Sequence, residues 1–299
     1  MDLGVDRARA ILLDALGRDP GPVQAVDSLS QSVFLGADVV LKVSTSAEQG
    51  GRLDRETGLL PHLPQGLTAP LLAAGTADLG GTTIRYACQT RVPGSAPGID
   101  LPTADETSVR RWAVQAIGML DLLHGWQPDD DAGRILGDGV DDGSFAGRAP
   151  LEQDIDALSA TGILSDRTVD GLAAVAARAP RRRRSDVPVH ADCHWGNWLV
   201  HGRDVTALLD FEWARWGDPV DDWFFLIRFS GAFRSAVLAE VVGASGLPEE
   251  DFRAGCEHRE AAHLVSDLLQ ASAYGDEGAP GGGRSLLELD EVVRGSWWA

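Results

Sequence analysis

The stretch His190–Asp222 constrains this chain more than any other. Within it, two short apolar runs, Trp198–Val200 and Val205–Leu209, flank the turn-like residues His201, Gly202, Arg203 and Asp204. Apolar runs separated by turn residues predict a β-hairpin. A polar loop, His190–Asn197, enters the first strand, and Asp210 closes the second. The two ends of so short a hairpin lie side by side. Asp192, Asn197 and Asp210 are therefore expected to converge.

Three oxygen-bearing side chains at one place suit a hard cation that keeps some of its waters, Mg²⁺ before zinc. The spacing H-x-D-x-x-x-x-N, followed by D-F, is that of the catalytic and metal-binding loops of kinases. In that chemistry one aspartate orients the acceptor hydroxyl and takes its proton. The asparagine and the second aspartate hold Mg²⁺ on the nucleotide phosphates. Here these are Asp192, Asn197 and Asp210.

These residues resemble the aminoglycoside phosphotransferases and their relatives, the choline kinases and other small-molecule kinases. HADCHWGN, DFEWA and GDPVDD stand where that family carries H-G-D-x-x-x-x-N, D-F-[GDE] and G-D-P-x-x-D. Ala191 replaces the usual glycine, and Glu212 follows Phe211 as in choline-kinase-like members. The resemblance implies an α+β, two-lobed, protein-kinase-like fold. Residues 1–92 would form a nucleotide-binding lobe, an antiparallel sheet with one helix, and residues 93–299 a mostly helical catalytic and acceptor-binding lobe carrying the hairpin. It implies transfer of the γ-phosphoryl group of ATP, with Mg²⁺, to a hydroxyl of a small molecule such as an aminoglycoside or related antibiotic. A choline-like or amino-sugar metabolite is the alternative acceptor. A non-catalytic nucleotide-binding protein of the same fold is the rival of another class. By the same resemblance Asp222 braces the catalytic loop and His190 organises it.

The chain has 299 residues, a net charge of -19 and 44% hydrophobic residues. That length suits one two-lobed enzyme, and that apolar content suffices for a buried core. So negative a charge argues against nucleic-acid binding and favours a cationic acceptor. No long apolar run or N-terminal signal pattern occurs, so the expectation is a cytoplasmic protein without a membrane partner. Cys88, Cys193 and Cys256 are too widely spaced for a disulfide framework or zinc knuckle. Lys42 is the only lysine. A chain that uses arginine elsewhere keeps a lysine where a compact ammonium is needed.

Ile11, Leu12 and Leu16 fall at helical spacing and predict a lead helix within Met1–Gly17. Val23–Leu29, Ser32–Leu35 and Val39–Val43 read as an antiparallel meander with Lys42 in its third run. The bend Ser30–Ser32 occupies the place of the kinase glycine-rich loop without a glycine; the hydroxyls of Ser30 and Ser32 are candidates to cover phosphates. A helix is expected over Ala47–Leu63. By the kinase pattern Glu56 on it holds Lys42 toward the α- and β-phosphates, with Glu48 as second candidate. Pro70–Ala74 and Thr82–Val92 read as further strands. Thr103–His124 carries an apolar stripe and predicts a long helix, with His124 packed or capping at its end. Asp129–Gly143 reads as an acidic loop, and Arg181–Arg184 as a solvated run. Glu212, Trp213, Trp216 and Asp218 are candidates for acceptor contacts, the tryptophans through cation–π attraction. Trp297 and Trp298 are costly to leave in water and are expected to pack on the large lobe or line the acceptor cleft.

Two other readings of the centre compete. His190, Asp192 and His194 alternate, as ligands of a hydrolase metal would. That reading leaves Lys42, Glu56 and the D-F-E segment without a task. Cys193 beside His194 suggests a nucleophile pair, but no third group orients it.

Overall fold

The computed structural model describes residues 3–26, 31–138, 147–179, 184–273 and 282–298. The first part of the chain runs α1 (Val5–Leu16), β1 (Gln24–Val26), β2 (Ser32–Leu35), β3 (Val39–Ser44), α2 (Ala47–Leu59), β4 (Leu71–Leu79) and β5 (Thr82–Thr90). The five strands make one sheet in the order β1-β2-β3-β5-β4, with every pair antiparallel.

Alternation along β3 assigns the two faces of this sheet. Val39, Leu41 and Val43 are buried with Phe34, Ile84 and Cys88 against Ala8, Ile11 and Leu12 of α1. Successive strand side chains point to opposite faces. Lys42, paired with Val33 and Ala87, therefore faces away from α1 and reaches α2. Ser46 caps α2 by accepting the Gln49 N–H at 3.2 Å. The helix stops at Leu59, short of the expected Leu63, and a 3₁₀ turn at Leu60–His62 follows. Pro61 lacks the N–H that a continuing α-helix needs.

The remainder is mostly helical: α3 (Glu106–His124), α4 (Asp130–Gly137), α5 (Arg148–Ser159), α6 (Asp166–Arg178), α7 (Pro219–Arg228), α8 (Arg234–Ser245), α9 (Glu249–Ala273) and α10 (Gly282–Arg294). The apolar stripe of α3, including Val109, Trp112, Ala116, Leu120 and Leu123, is buried. Two small strand pairs interrupt the helices. β6 (Val187–Val189) pairs with β9 (Arg215–Gly217), and β7 (Trp198–His201) with β8 (Asp204–Leu208). The second pair is the expected hairpin; Gly202 in its turn sits at φ 62°, which favours glycine. An antiparallel sheet followed by a mostly helical part is the arrangement that the resemblance implied. Among the described residues, no helix is long and apolar enough to cross a membrane.

One expectation is corrected. The acidic stretch after Asp129 is not a loop. Asp129 accepts the Ala132 N–H at 2.9 Å and so caps α4, whose first turn carries Asp130 and Asp131. Carboxylates at a helix N-terminus stabilise it, and Leu136 anchors the helix in the core. Residues 139–143 lie outside the described residues, as do Arg181, Arg182 and Arg183 of the arginine run. The terminal tryptophans pack on the helical part, as expected. Trp297 is buried and stacks on Phe224 at 6.0 Å, while the Trp298 indole N–H donates to Glu257 Oε1 at 2.9 Å.

Candidate active site

Pairing within the hairpin decides where its ends lie. Trp198 pairs with Leu208, and the Leu209 N–H donates to the Asn197 carbonyl at 2.8 Å. Asn197 and the Leu209–Asp210 step are thus held together. The Asn197 amide donates through Nδ2 to Asp192 O at 2.7 Å and Asp192 Oδ2 at 3.1 Å. Its oxygen then faces away from that carboxylate, as a possible metal ligand.

His190 ties the loop to the hairpin. Its Nε2–H donates to the Leu209 carbonyl at 2.9 Å, and its Nδ1 accepts the Asp192 N–H at 3.2 Å. Those partners define a neutral tautomer with both nitrogens in use. Burial pushes the His190 pKa down, against the pull of Asp222. Such a ring organises a loop and has no free nitrogen with which to act as a base.

Asp222, fully buried on α7, gathers three donors. Its Oδ1 accepts the Ala191 N–H at 2.7 Å; its Oδ2 accepts the His190 N–H at 3.0 Å and His124 Nε2–H at 2.9 Å. Burial alone would raise its pKa, but the His124 hydrogen bond and the other contacts outweigh burial and lower it. His124 as a partner of Asp222 was missed from sequence. The only signal was its place in LLHGW at the end of α3.

Lys42 Nζ lies 2.8 and 2.9 Å from the two Glu56 oxygens and 3.1 Å from Asp210 Oδ1. Burial opposes the charged ammonium, yet the Glu56 and Asp210 carboxylates outweigh it and raise the lysine pKa. Glu48 sits on the exposed side of α2, paired with Arg52 at 2.8 Å. The same helix grips the segment after Asp210: the Arg52 guanidinium stands 4.3 Å over the Trp213 ring, and Arg55 donates to Ala214 O at 2.5 Å.

Asp192 is the most perturbed carboxylate of the loop. Burial, then the charge of Asp210, push its pKa up to about 7, with the Asn197 hydrogen bond opposing. Ala191 (φ 65°) and Asp210 (φ 69°) both occupy left-handed backbone. Strained residues of this kind persist only where their surroundings over-determine them.

The remaining candidates are placed as follows. Ser30 lies outside the described residues, and Ser32 opens β2 opposite Val43. The four candidate acceptor contacts are turned to other work. Glu212 is buried, 3.7 Å from Arg52 and 3.5 Å from Gln31 Nε2. Trp213 is covered by Arg52, and Trp216 donates to Gly133 O on α4 at 3.1 Å. Asp218 caps α7 by accepting the Val220 N–H at 3.0 Å. The Cys193 thiol is buried and donates to Asp222 O at 3.0 Å, and burial raises its pKa, so it forms no nucleophile pair with His194. Among the described residues no group of three or more His, Cys, Asp or Glu is placed to hold a metal, which leaves the hydrolase reading without a centre.

A family model described as "Phosphotransferase enzyme family" matches residues 24–258. Several solved structures share the fold. The GDP and kanamycin complex of APH(2")-IIia is 17% identical over 96% of this chain and 97% of that one, with a TM-score of 0.67. Macrolide 2'-phosphotransferase MphH from Brachybacterium faecium, as the apoenzyme, is 20% identical over 96% of this chain and 97% of that one, with a TM-score of 0.65. The streptomycin–ATP–APH(2")-IIa ternary complex is 14% identical over 98% of this chain and 99% of that one, with a TM-score of 0.63. Comparison with curated protein sequences finds no match.

Proposed function

The chain belongs to the phosphotransferase enzyme family, and from that premise we propose that it moves the γ-phosphoryl group of ATP onto a hydroxyl of a small molecule. The observation that carries this reading is Lys42, the only lysine, held between Glu56 and Asp210. A compact ammonium that is already charged and oriented suits the α- and β-phosphates of a nucleotide. Residues 1–92 are the nucleotide-binding lobe and residues 93–299 the catalytic and acceptor-binding lobe, and the Lys42–Asp210 contact spans the two.

Glu56 keeps Lys42 aimed into the cleft. Of the two serines expected to cover the phosphates, Ser32 pairs with Val43 and so falls on the α1 face of the sheet, opposite Lys42, while Gln31 beside it donates to Glu212 at 3.5 Å. Asp192 orients the acceptor hydroxyl and takes its proton; a pKa pushed up to about 7 suits that exchange near neutrality. His190 and Asp222 hold the Asp192 loop without touching the reacting atoms. The donor set fits Mg²⁺, since the Asp210 carboxylate and the Asn197 amide oxygen are hard ligands and a nucleotide supplies the rest. When bound, that ion neutralises phosphate charge.

The acceptor is an antibiotic of the aminoglycoside kind or a relative of it; neighbours of the same fold include a kanamycin complex, a streptomycin complex and a macrolide phosphotransferase. A screen of ATP consumption over aminoglycosides, macrolides, amino sugars and choline tests this. Transfer to one of these classes, dependent on Mg²⁺ and on Asp192, is expected. Tight nucleotide binding with no transfer to any acceptor would favour the non-catalytic rival.

A further inference from the structure

We propose that His194 is a further catalytic residue of the transfer: its Nε2–H donates to the acceptor hydroxyl oxygen while that hydroxyl donates to Asp192 Oδ1, which turns the remaining lone pair toward the phosphorus. The proposal deepens the phosphotransfer reading and rests on it, because Asp192 marks where the reacting hydroxyl sits.

Local hydrogen bonding decides which ring nitrogen carries the proton. His194 Nδ1 accepts the Gly196 N–H at 3.1 Å and so caps the 3₁₀ turn Trp195–Asn197. Burial pushes the His194 pKa down, so the ring is neutral near neutrality. A neutral imidazole whose Nδ1 accepts carries its one proton on Nε2. That nitrogen lies 3.7 Å from Asp192 Oδ1, and among the described residues its N–H meets no hydrogen-bond acceptor.

A separation of 3.7 Å is too long for a direct hydrogen bond. It suits one oxygen placed between, at about 2.8 Å from each group. Asp192 Oδ2 already accepts from Asn197 Nδ2–H at 3.1 Å, which leaves Oδ1 for the acceptor. A hydroxyl oxygen has one proton and two lone pairs. In the gap its proton points at Oδ1, one lone pair takes Nε2–H, and the other is left for the phosphorus. On transfer the O–H bond breaks and its proton passes to Asp192, while the new O–P bond forms. The bond from the γ-phosphorus to the bridging oxygen breaks, and its electron pair leaves with ADP. His194 keeps its proton throughout and acts by fixing the nucleophile's orientation.

The ring is locked in that pose. It meets Phe229 edge-on at 5.5 Å, and Phe229 stacks on Phe225 at 5.8 Å. Gly196 leaves the room the ring needs: a Cβ there would stand 2.8 Å from His194 Cε1 and 2.9 Å from Nδ1. Contacts that short force the ring or the turn to move. A side chain whose rotamer is set by packing and by its own cap presents Nε2 in one orientation, the condition for catalysis by alignment. A purely capping histidine would use Nδ1 alone, with no need for Nε2 to face the reactive carboxylate.

Two substitutions separate the cap from the donor. His194→Asn keeps an acceptor for the Gly196 N–H, since asparagine is a good N-cap, and loses the group that reaches toward Asp192. His194→Gln restores an amide N–H at the reach of Nε2. The test is steady-state kinetics with radiolabelled ATP and Mg²⁺, with water and with kanamycin as acceptors, on the full chain and on these variants. His194→Asn is expected to lower kcat by about 10–100-fold with KM for ATP within about twofold, at an unchanged urea midpoint. His194→Gln should stay within about fivefold of the unsubstituted kcat, and Gly196→Ala, which displaces the ring, should fall about as far as His194→Asn. Nitrogen-15 spectra of the unsubstituted protein should show the proton on Nε2. Unaltered kcat in His194→Asn, equal losses in His194→Asn and His194→Gln, or a proton on Nδ1 overturns the proposal while phosphotransfer stands. An unsubstituted protein that passes phosphate to neither acceptor counts against phosphotransfer itself, and the proposal falls with it.

Discussion

Asp222 Oδ1 accepts the backbone N–H of Ala191 at 2.7 Å, and Ala191 is the residue held at φ 65°. The two facts belong together. A backbone conformation that suits glycine is imposed on an alanine immediately before Asp192. A buried carboxylate on α7, shared with His190 and His124, holds it there.

Asp222→Asn removes the charge and turns an amide donor toward at least one of those three donors. Breaking one side of a buried charged network costs about 3–5 kcal/mol. Urea denaturation is expected to show a loss of that size. Turnover should fall as well, because Asp192 loses its support.

Ala191→Gly should have the opposite sign. Relief of left-handed strain is worth roughly 1–2 kcal/mol, while the greater freedom of glycine in the unfolded chain costs about 0.4–1 kcal/mol. The difference predicts a slightly more stable protein, by up to about 1.5 kcal/mol. The urea midpoint, compared at constant slope, measures it.

Lys42→Arg keeps a positive charge and should still fail. The ammonium fits between three oxygens at 2.8, 2.9 and 3.1 Å; a planar guanidinium on a longer stem does not. Loss of a preorganised phosphate contact is expected to lower kcat/KM by about 10²–10³-fold. Steady-state kinetics with varied ATP would reveal it.

The legible parts of this chain were those that depend on local pattern. The meander pattern placed Lys42 in the third strand of the sheet, and two short apolar runs placed Asn197 beside Asp210. Glu56 was found because a kinase pattern names a helix for it. Long-range partners were not legible. Nothing near Asp222 in sequence points to His124, 98 residues away. The candidates Glu212, Trp213, Trp216 and Asp218 were picked for closeness in sequence to Asp210. Their side chains turn instead to Arg52, α4 and the start of α7, which only the tertiary fold brings near. Asp129 read as loop because acidic residues are common in loops and at helix N-termini alike.

Asp192 also predicts a stability cost that depends on pH. Its folded pKa of about 7 lies above the ordinary value of 3.8. Folding therefore favours the protonated acid; that contribution is complete below pH 3.8 and is lost as pH rises through about 7. Asp192→Asn never carries the charge. Without metal or nucleotide, it should match the unsubstituted protein near the acid end and exceed it in Tm by roughly 7 °C at about pH 8. Scanning calorimetry across that range would show equal curves at all pH values if the carboxylate were not perturbed.

The most direct test of the account is radiolabelled phosphate transfer from ATP by Asp192→Asn, beside a nucleotide-binding measurement on the same sample. The account predicts that ATP binding persists while transfer to the acceptor drops by about 10²–10⁴-fold. Transfer near the unsubstituted rate, with the asparagine in place, would contradict it.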